Sequence, residues 1–453
     1  MLEKLFERLQ ERSPILMMVW ALLENTLTSE FLDCLFERSK VKQYTRRLFF
    51  SDIVALMSTV VTGVHTSVHE AFKRSVLEKS ISFVAMYGKI NRIEPTTCAL
   101  LVHEVAQRLR GLIEQLGAKL PALIPGYPTR ILDGNALGGT DHRLKVLRGT
   151  RSAPLPGKSL VVLDAELQLA THMIPCEDGW AQERSLFNHV LKIVKAGELW
   201  IADRNFCTAE FLHMLTERGA KFLIRQHAGL RWNSLEPLVF PEGVKIAEHR
   251  VSIPWENGEI IARRIVVRLE TPTRDGDLEL CLLTTLPPEH ADAELIAQTY
   301  HERWGIENLF HVLTTTLRCE IKSQGYPKAA LFAFAVALVA ANIMATVRAG
   351  IRAVHGREQE ASLSNFYLVR DVQRKYDSLE EGFTPEALAG RARMNPEVLV
   401  AFLLTCAQHV RLEAYRKAPA RPGQRTKRPR GTPDDPPHVS TARLLAAAQR
   451  RSP

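Results

Sequence analysis

Apolar residues recur at intervals of three and four in Ile15–Phe36, Ile53–Val64 and Leu100–Leu116. That is the spacing of helices with one buried face. It predicts an N-terminal helical domain over residues 1–125. Ser13-Pro14 suits a helix start, because proline is tolerated in a first turn. The pattern changes at Pro125-Gly126-Tyr127-Pro128. Beyond this break the apolar runs shorten. Strand candidates are Thr129–Leu132, Arg143–Leu147, Ser159–Leu163, Leu199–Ala202 and Lys221–Arg225. Helical stretches fall at about Trp180–Lys195 and at Ala209–Glu217. This succession predicts a mixed α/β core over 126–228 and 290–350.

From 229 to 289 the texture is all-β. Val244–Ile253, Glu259–Leu269 and Leu278–Thr285 are rich in Val, Ile and Leu, with turn signals at Glu256-Asn257-Gly258 and Arg274-Asp275-Gly276. The expectation is a β-rich subdomain inserted into the core. A long helix resumes near Ala291. After Gly325-Tyr326-Pro327 comes Ala329–Val347, 19 residues without a charge. Its length would allow a membrane span. Its alanine content, Asn342 and the charged chain around it favour a helix buried in a large core. A helical region is expected over 351–415, then a basic, disordered tail over 416–453. Arg416–Arg430 holds seven Lys or Arg and no acid.

Composition narrows the class. The chain has 453 residues, 46% of them apolar and 24% charged, with a net charge of +9. This is ordinary globular composition, with enough chain for several domains. The positive excess favours a polyanionic partner. Lys40, Lys42, Arg46 and Arg47 form one basic piece between helices. The seven cysteines stand singly with no metal-ligand spacing, which argues against zinc and fits a reducing, cytoplasmic setting. The N-terminus carries acids and no apolar core of a secretory signal.

Three carboxylates stand where chemistry collects. Asp133 ends the first strand candidate, Asp203 ends the Leu199–Ala202 strand, and Glu307 lies on the helix after the β-rich segment. Oxygen ligands of this kind hold Mg²⁺ or Mn²⁺, and two such ions can assist phosphoryl transfer. An Asp after a strand is also an ordinary turn former or helix cap. On a continuous helix, Tyr300, Arg303 and Arg318 would share the Glu307 face, with His311 adjacent. Tyr and Arg are suited to holding phosphates. A salt-bridged, exposed face is the plainer alternative. Trp304, Leu309, Phe310, Leu313 and Leu317 supply the apolar remainder.

Tyr300-His-Glu-Arg303-Trp-Gly-Ile-Glu307 resembles the Y-x2-R-x3-E signature of transposases of the insertion sequence 4 family. Ile201-Ala-Asp203-Arg204-Asn205-Phe206 resembles that family's second-aspartate motif, and Ile131-Leu-Asp133-Gly134 its first. The resemblance covers about Thr129–Val347 and includes the β-rich insertion. It implies a ribonuclease H-like catalytic core. It implies a catalytic and metal-binding triad of Asp133, Asp203 and Glu307, with two Mg²⁺ or Mn²⁺ ions. It implies DNA contacts from Tyr300, Arg303, Arg318, Lys322 and Arg204. The partners would be the inverted ends of the element and target DNA, held by a homodimer, with no membrane. Relatives form a DNA hairpin with a base held out of the stack. Trp232 and Trp255 are candidates to stack on it, though tryptophan in a β-subdomain is more often core. One departure is clear. The signature continues with a Lys seven residues after the Glu, where this chain has Thr314.

Other motifs carry less. Ser152–Ser159 imitates a phosphate-binding loop but lacks its first Gly, holds two prolines and precedes a strand. Asp164, Glu166, Glu177 and Asp178 read as solvated turn residues. No HExxH or paired His spacing occurs. Two alternatives to a transposase stay open: another ribonuclease H-like metal-dependent nuclease such as a resolvase, and a DNA-binding relative without activity.

Overall fold

The computed structural model describes residues 2–43, 47–256, 258–273, 276–382, 393–418 and 437–451. Seven helices come first: α1 (Leu2–Arg12), α2 (Pro14–Thr26), α3 (Ser29–Ser39), α4 (Phe50–Val61), α5 (Val68–Arg74), α6 (Phe83–Ile90) and α7 (Pro95–Gln115). The apolar period over Ile15–Phe36 is carried by two helices, α2 and α3. Thr28 accepts a hydrogen bond from Phe31 N and restarts the chain as α3. Helix α7 begins at Pro95, in the first-turn position that proline favours.

The centre of the molecule is one sheet. Strand β1 is Thr129–Leu137, the short β2 is Ala153–Leu155, β3 is Gly157–Asp164 and β4 is Leu169–Cys176. The helix expected over about Trp180–Lys195 is reduced to one 3-10 turn (Glu183–Leu186) and a short helix α8 (Phe187–Leu191), which leads to β5 (Leu199–Ala202), α9 (Ala209–Glu217) and β6 (Lys221–Arg225). Strands β7 (Asn233–Ser234), β8 (Ile246–Trp255), β9 (Gly258–Arg268) and β10 (Glu279–Thr284) follow. The sheet order is β4-β3-β1-β5-β6-β10-β9-β8-β7. Strand β1 pairs antiparallel with β3 and parallel with β5, and β5 pairs parallel with β6. A mixed α/β architecture with a large mixed sheet is therefore present.

Three expectations are corrected. Arg143–Leu147 is a turn, not a strand. Leu144 and Val146 alternate with Arg143 and Lys145 as in a strand, but of these five residues Leu147 alone is buried, so no sheet face is covered here. The strand beside β3 is instead β4, a sheet-edge segment interrupted by Thr171, His172 and Pro175 that hid its pattern. Second, the β-rich insertion does not build a sheet of its own. Leu282–Thr284 of β10 pairs with Leu223–Arg225 of β6, so the insertion extends the central sheet. Third, the chain end is structured where a tail was expected. β11 (His438–Ser440) pairs with β2, and the last helix (Thr441–Arg451) follows. Ser440 and Thr441 are buried and Arg443 pairs with Asp178 at 2.8 Å. Residues 419–436, most of the basic tail, lie outside the described residues, as does Arg46.

After the insertion come α10 (Ala293–His301), α11 (Trp304–Thr315), α12 (Pro327–His355), α13 (Arg357–Ala361), α14 (Asn365–Gly382) and α15 (Pro396–Gln408). The charge-free stretch lies in α12, which is packed inside the protein. Phe332 and Phe334 are fully buried, and Phe332 lies against Phe50 of α4. Asn342 is satisfied: its carbonyl accepts from Ala170 N at 2.8 Å and its amide donates to Ala170 O at 2.9 Å. Helix α12 is thereby pinned to edge strand β4. The N-terminal helices, α12 and one face of the sheet share one continuous core. A second core on the other face gathers Trp200, Phe206, Phe211 and Phe222.

Candidate active site

The register of two strands brings the aspartates together. Leu132 on β1 pairs with Ala202 on the parallel neighbour β5. Asp133 and Asp203 follow at equivalent positions, with backbones roughly 5 Å apart by strand spacing. Asp133 does not end its strand as expected: β1 continues to Leu137, and Asp133 stands opposite Val161 of β3, with its Oδ1 accepting from Gly134 N at 2.8 Å. Asp203 ends β5, and its carboxylate accepts from Asn205 N at 2.8 Å, capping a short turn at Arg204–Phe206. The capping role and the site position coexist.

Helix α11 crosses near β1 and brings the remaining groups. The continuous helix expected here is broken. Helix α10 ends at His301, Glu302 and Arg303 form a tight turn, and α11 starts at Trp304. At this break, Arg303 turns its guanidinium into the site. Its Nη1 donates to Asp133 Oδ2 at 3.2 Å and its Nη2 to Glu307 Oε1 at 2.5 Å. Tyr300 is buried beneath it, with its ring centroid 5.9 Å from the guanidinium carbon. The expected association of Tyr300, Arg303 and Glu307 is present. Asp133 and Glu307 meet through one shared arginine.

The electrostatics are those of crowded, desolvated acids. Burial, reinforced by the neighbouring Asp203, pushes the Asp133 carboxyl up to about 7, against the pull of Gly134 N–H and Arg303. Burial also raises Asp203. Tyr300 is pushed up to about 12 by burial, so its hydroxyl keeps its proton. Among the described residues, Arg303 Nε is buried with no hydrogen-bond partner. An orphaned guanidinium donor beside acids suits an anionic group brought in from outside.

A fourth carboxylate, Glu183, belongs to this neighbourhood. A side chain on Gly134 would bring its Cβ within 2.2 Å of Glu183 Oε1, so glycine leaves the space that Glu183 fills. Burial and then the charge of Asp203 raise its carboxyl. Sequence reasoning missed Glu183, which lies in a polar stretch with no period to mark it.

The other expected contacts are dispersed. Helix α11 ends at Thr315, so Arg318 does not continue the Glu307 stripe. It turns away toward Gly63 and Gln373. Lys322 is exposed in the turn before α12, and its carbonyl accepts from Asp141 N at 3.1 Å. Arg204 follows Asp203 directly and its charge acts on it. Thr314 is exposed, and its hydroxyl donates to Phe310 O at 3.0 Å within its own helix. Trp304, expected among packing residues, is 57% exposed. Trp232 is half-buried under Arg264, whose guanidinium carbon lies 4.7 Å from its ring centroid, and Trp255 is likewise half-buried.

Asp164 and Glu166 are not solvated. Both are buried and neutralised, Asp164 by Arg130 and Arg110, Glu166 by Lys119. They are structural ion pairs. Ser152–Ser159 contains β2 and the start of β3, with no helix after it, so it cannot cradle a phosphate at a helix start. All seven cysteines are free.

Among the described residues, no three His, Cys, Asp or Glu side chains already converge as a cation cage. The donor chemistry nevertheless fits one. Asp133 and Asp203 are adjacent, partly desolvated oxygen donors whose charges oppose each other, and Mg²⁺ and Mn²⁺ prefer such ligands. Glu307 is linked to Asp133 through Arg303.

No curated protein matches the chain. Residues 150–343 match the family model described as Transposase DDE domain, a span that contains Asp203 and Glu307 and starts after Asp133. That match, over a large mixed α/β sheet, supports a DDE transposase.

Proposed function

We propose that this protein is a cut-and-paste DNA transposase of the insertion sequence 4 family, built on a ribonuclease H-like core. The observation that carries the reading is the junction at Arg303, which ties Asp133 to Glu307 next to Asp203. Asp133, Asp203 and Glu307 would hold Mg²⁺ or Mn²⁺, two ions in all. Such ions supply neutralisation of the scissile phosphate and a more acidic attacking hydroxyl.

The chain's own groups have separable tasks. Arg303 holds the acids in place when no DNA is bound and turns donors to a phosphate when it arrives. Its planar fork suits that ligand better than a lysine would. Tyr300 stays protonated and donates from below. Arg204 and Lys322 add charge to the rim. The basic tail and the Lys40–Arg47 piece add salt-sensitive affinity that does not depend on sequence. The partners are the inverted ends of the element and target DNA, in a homodimer, in the cytoplasm.

The test is a strand-transfer assay on DNA carrying the inverted repeats that flank the coding region. Cut ends joined to target DNA are expected. Hydrolysis without joining would identify a resolvase-like nuclease instead. Binding without any cutting would identify an inactive relative, a reading that Thr314 favours slightly.

A further inference from the structure

Thr314 leaves the end of α11 without the positive charge that phosphate binding along this helix would use. The fold brings charge there from elsewhere. A cleft of about 320 Å³ lies at the end of α11, lined by Thr315, Thr316, Arg318, Phe366, Arg370 and Gln373. Its walls come from the turn after α11 and the first turns of α14. The turn after α4 packs against two of its lining residues, Arg318 and Gln373. There Gly63 has φ +77°, and a Cβ would lie 2.9 Å from Gln373 Nε2 and 3.3 Å from Arg318 Nε. Gln373 locks this junction by donating to Thr62 O at 2.5 Å.

The lining has two arginines and no carboxylate. Among the described residues neither Arg318 nor Arg370 is in an ion pair, while the nearby Asp371 is taken by Lys375 at 2.9 Å. Arg370 lies over the Phe366 ring at 5.5 Å. Phe366 and Tyr367 are both well exposed, 44% and 40%. Paired, unneutralised guanidinium groups beside exposed aromatic faces fit a nucleic-acid backbone with adjoining sugars and bases. An inorganic phosphate or a lipid headgroup shares the phosphate but has no use for the rings.

We infer that the cleft between α11 and α14 is a phosphodiester-binding subsite, in which Arg318 and Arg370 hold the DNA backbone at a distance from the cut. The inference rests on the transposase reading for its substrate. Eight residues separate Glu307 from Thr315, about 12 Å along a helix at 1.5 Å per residue. That is roughly three to four nucleotide steps of a DNA strand. Helix α14 lies outside the matched span 150–343, so this subsite belongs to a part of the chain that the family match leaves unassigned.

The test measures equilibrium binding of the full chain to a duplex of arbitrary sequence over a range of salt, without divalent metal. The slope of log affinity against log salt should be shallower by about two in R318A/R370A, close to 0.9 for each phosphate that the variant no longer neutralises. R318K/R370K should keep the slope, because it keeps the charges. Equal melting temperatures establish that the variants are folded. If the double variant does not fold, R370A alone should lower the slope by about one. An unchanged slope in the alanine variants overturns the proposal. So does loss of binding to phosphatidylserine vesicles or to inorganic phosphate with DNA binding intact. If the unaltered chain binds no DNA and cuts none, the transposase reading fails with it. If it binds and cuts with an unchanged slope in the variant, only the subsite fails.

Discussion

Arg303 Nη1 lies 3.2 Å from Asp133 Oδ2, joining residues 170 positions apart in sequence, while the same guanidinium holds Glu307. One cation thus occupies the space between two acids proposed to bind metal. This pairing sets the first prediction. Arg303→Ala should abolish DNA cleavage, and Arg303→Lys should leave it at least roughly tenfold impaired, since lysine cannot fork between two partners. Single-turnover cleavage rates check this. Near-normal cleavage by the lysine variant would mean that only the charge matters.

The raised Asp133 carboxyl makes stability depend on pH. In the unfolded chain this group titrates near 4, and in the folded chain at about 7. Between those values the native state keeps a proton that the unfolded chain has released. Stability therefore declines as pH rises through that window and levels off above it. Between pH 5 and pH 8 the loss through this group should be about 2 kcal/mol, discounted for its partial exposure. Asp133→Asn should remove that component. Urea unfolding at the two pH values measures it, and an equal pH dependence in both proteins would contradict the assignment.

Metal should counter the repulsion between Asp133 and Asp203. Mg²⁺ or Mn²⁺ at 100 times its dissociation constant should stabilise the fold by about 2.7 kcal/mol for one site. Asp203→Asn should lose most of that gain. Thermal unfolding with and without metal checks it, and an equal gain in the variant would place the ion elsewhere.

Gly134 and Glu183 are coupled by space. Gly134→Ala should destabilise by about 1–3 kcal/mol, the usual cost of overpacking. The added Cβ would meet Glu183 Oε1 at 2.2 Å. Combined with Glu183→Ala, the cost should be well below the sum of the two single changes. Additive costs from chemical unfolding would show that the two do not touch.

Asn342→Leu should cost about 2–4 kcal/mol, because Ala170 N–H and C=O would both be left without a partner in a buried setting. Calorimetry or urea unfolding measures the change.

What could be read in the sequence follows physical range. Asp203 and Asp133 were legible because short apolar runs end at them, and parallel pairing of β1 with β5 then makes them neighbours. Helix α12 was legible as a buried helix from its composition, although it runs past Val347 to His355. Strand β4 was not legible, because its polar Thr171 and His172 are satisfied or buried only in the tertiary setting. The break at Glu302-Arg303 was invisible to helical spacing. Arg318 left the predicted stripe for a different reason: α11 ends at Thr315, so an eleven-residue extrapolation from Glu307 runs past its helix. Glu183 had no local pattern at all, and its place depends on the missing side chain of Gly134.

If Asp133, Asp203 and Glu307 form one catalytic unit, removing any of them should disable the whole. The most direct test is Mn²⁺-dependent cleavage of end-containing DNA by Asp133→Asn, Asp203→Asn and Glu307→Gln, each shown to bind that DNA like the unaltered chain. Each single change should reduce cleavage by roughly a thousandfold or more, and combining them should reduce it little further. Retained metal-dependent cleavage by Asp203→Asn would contradict the shared role of the three carboxylates.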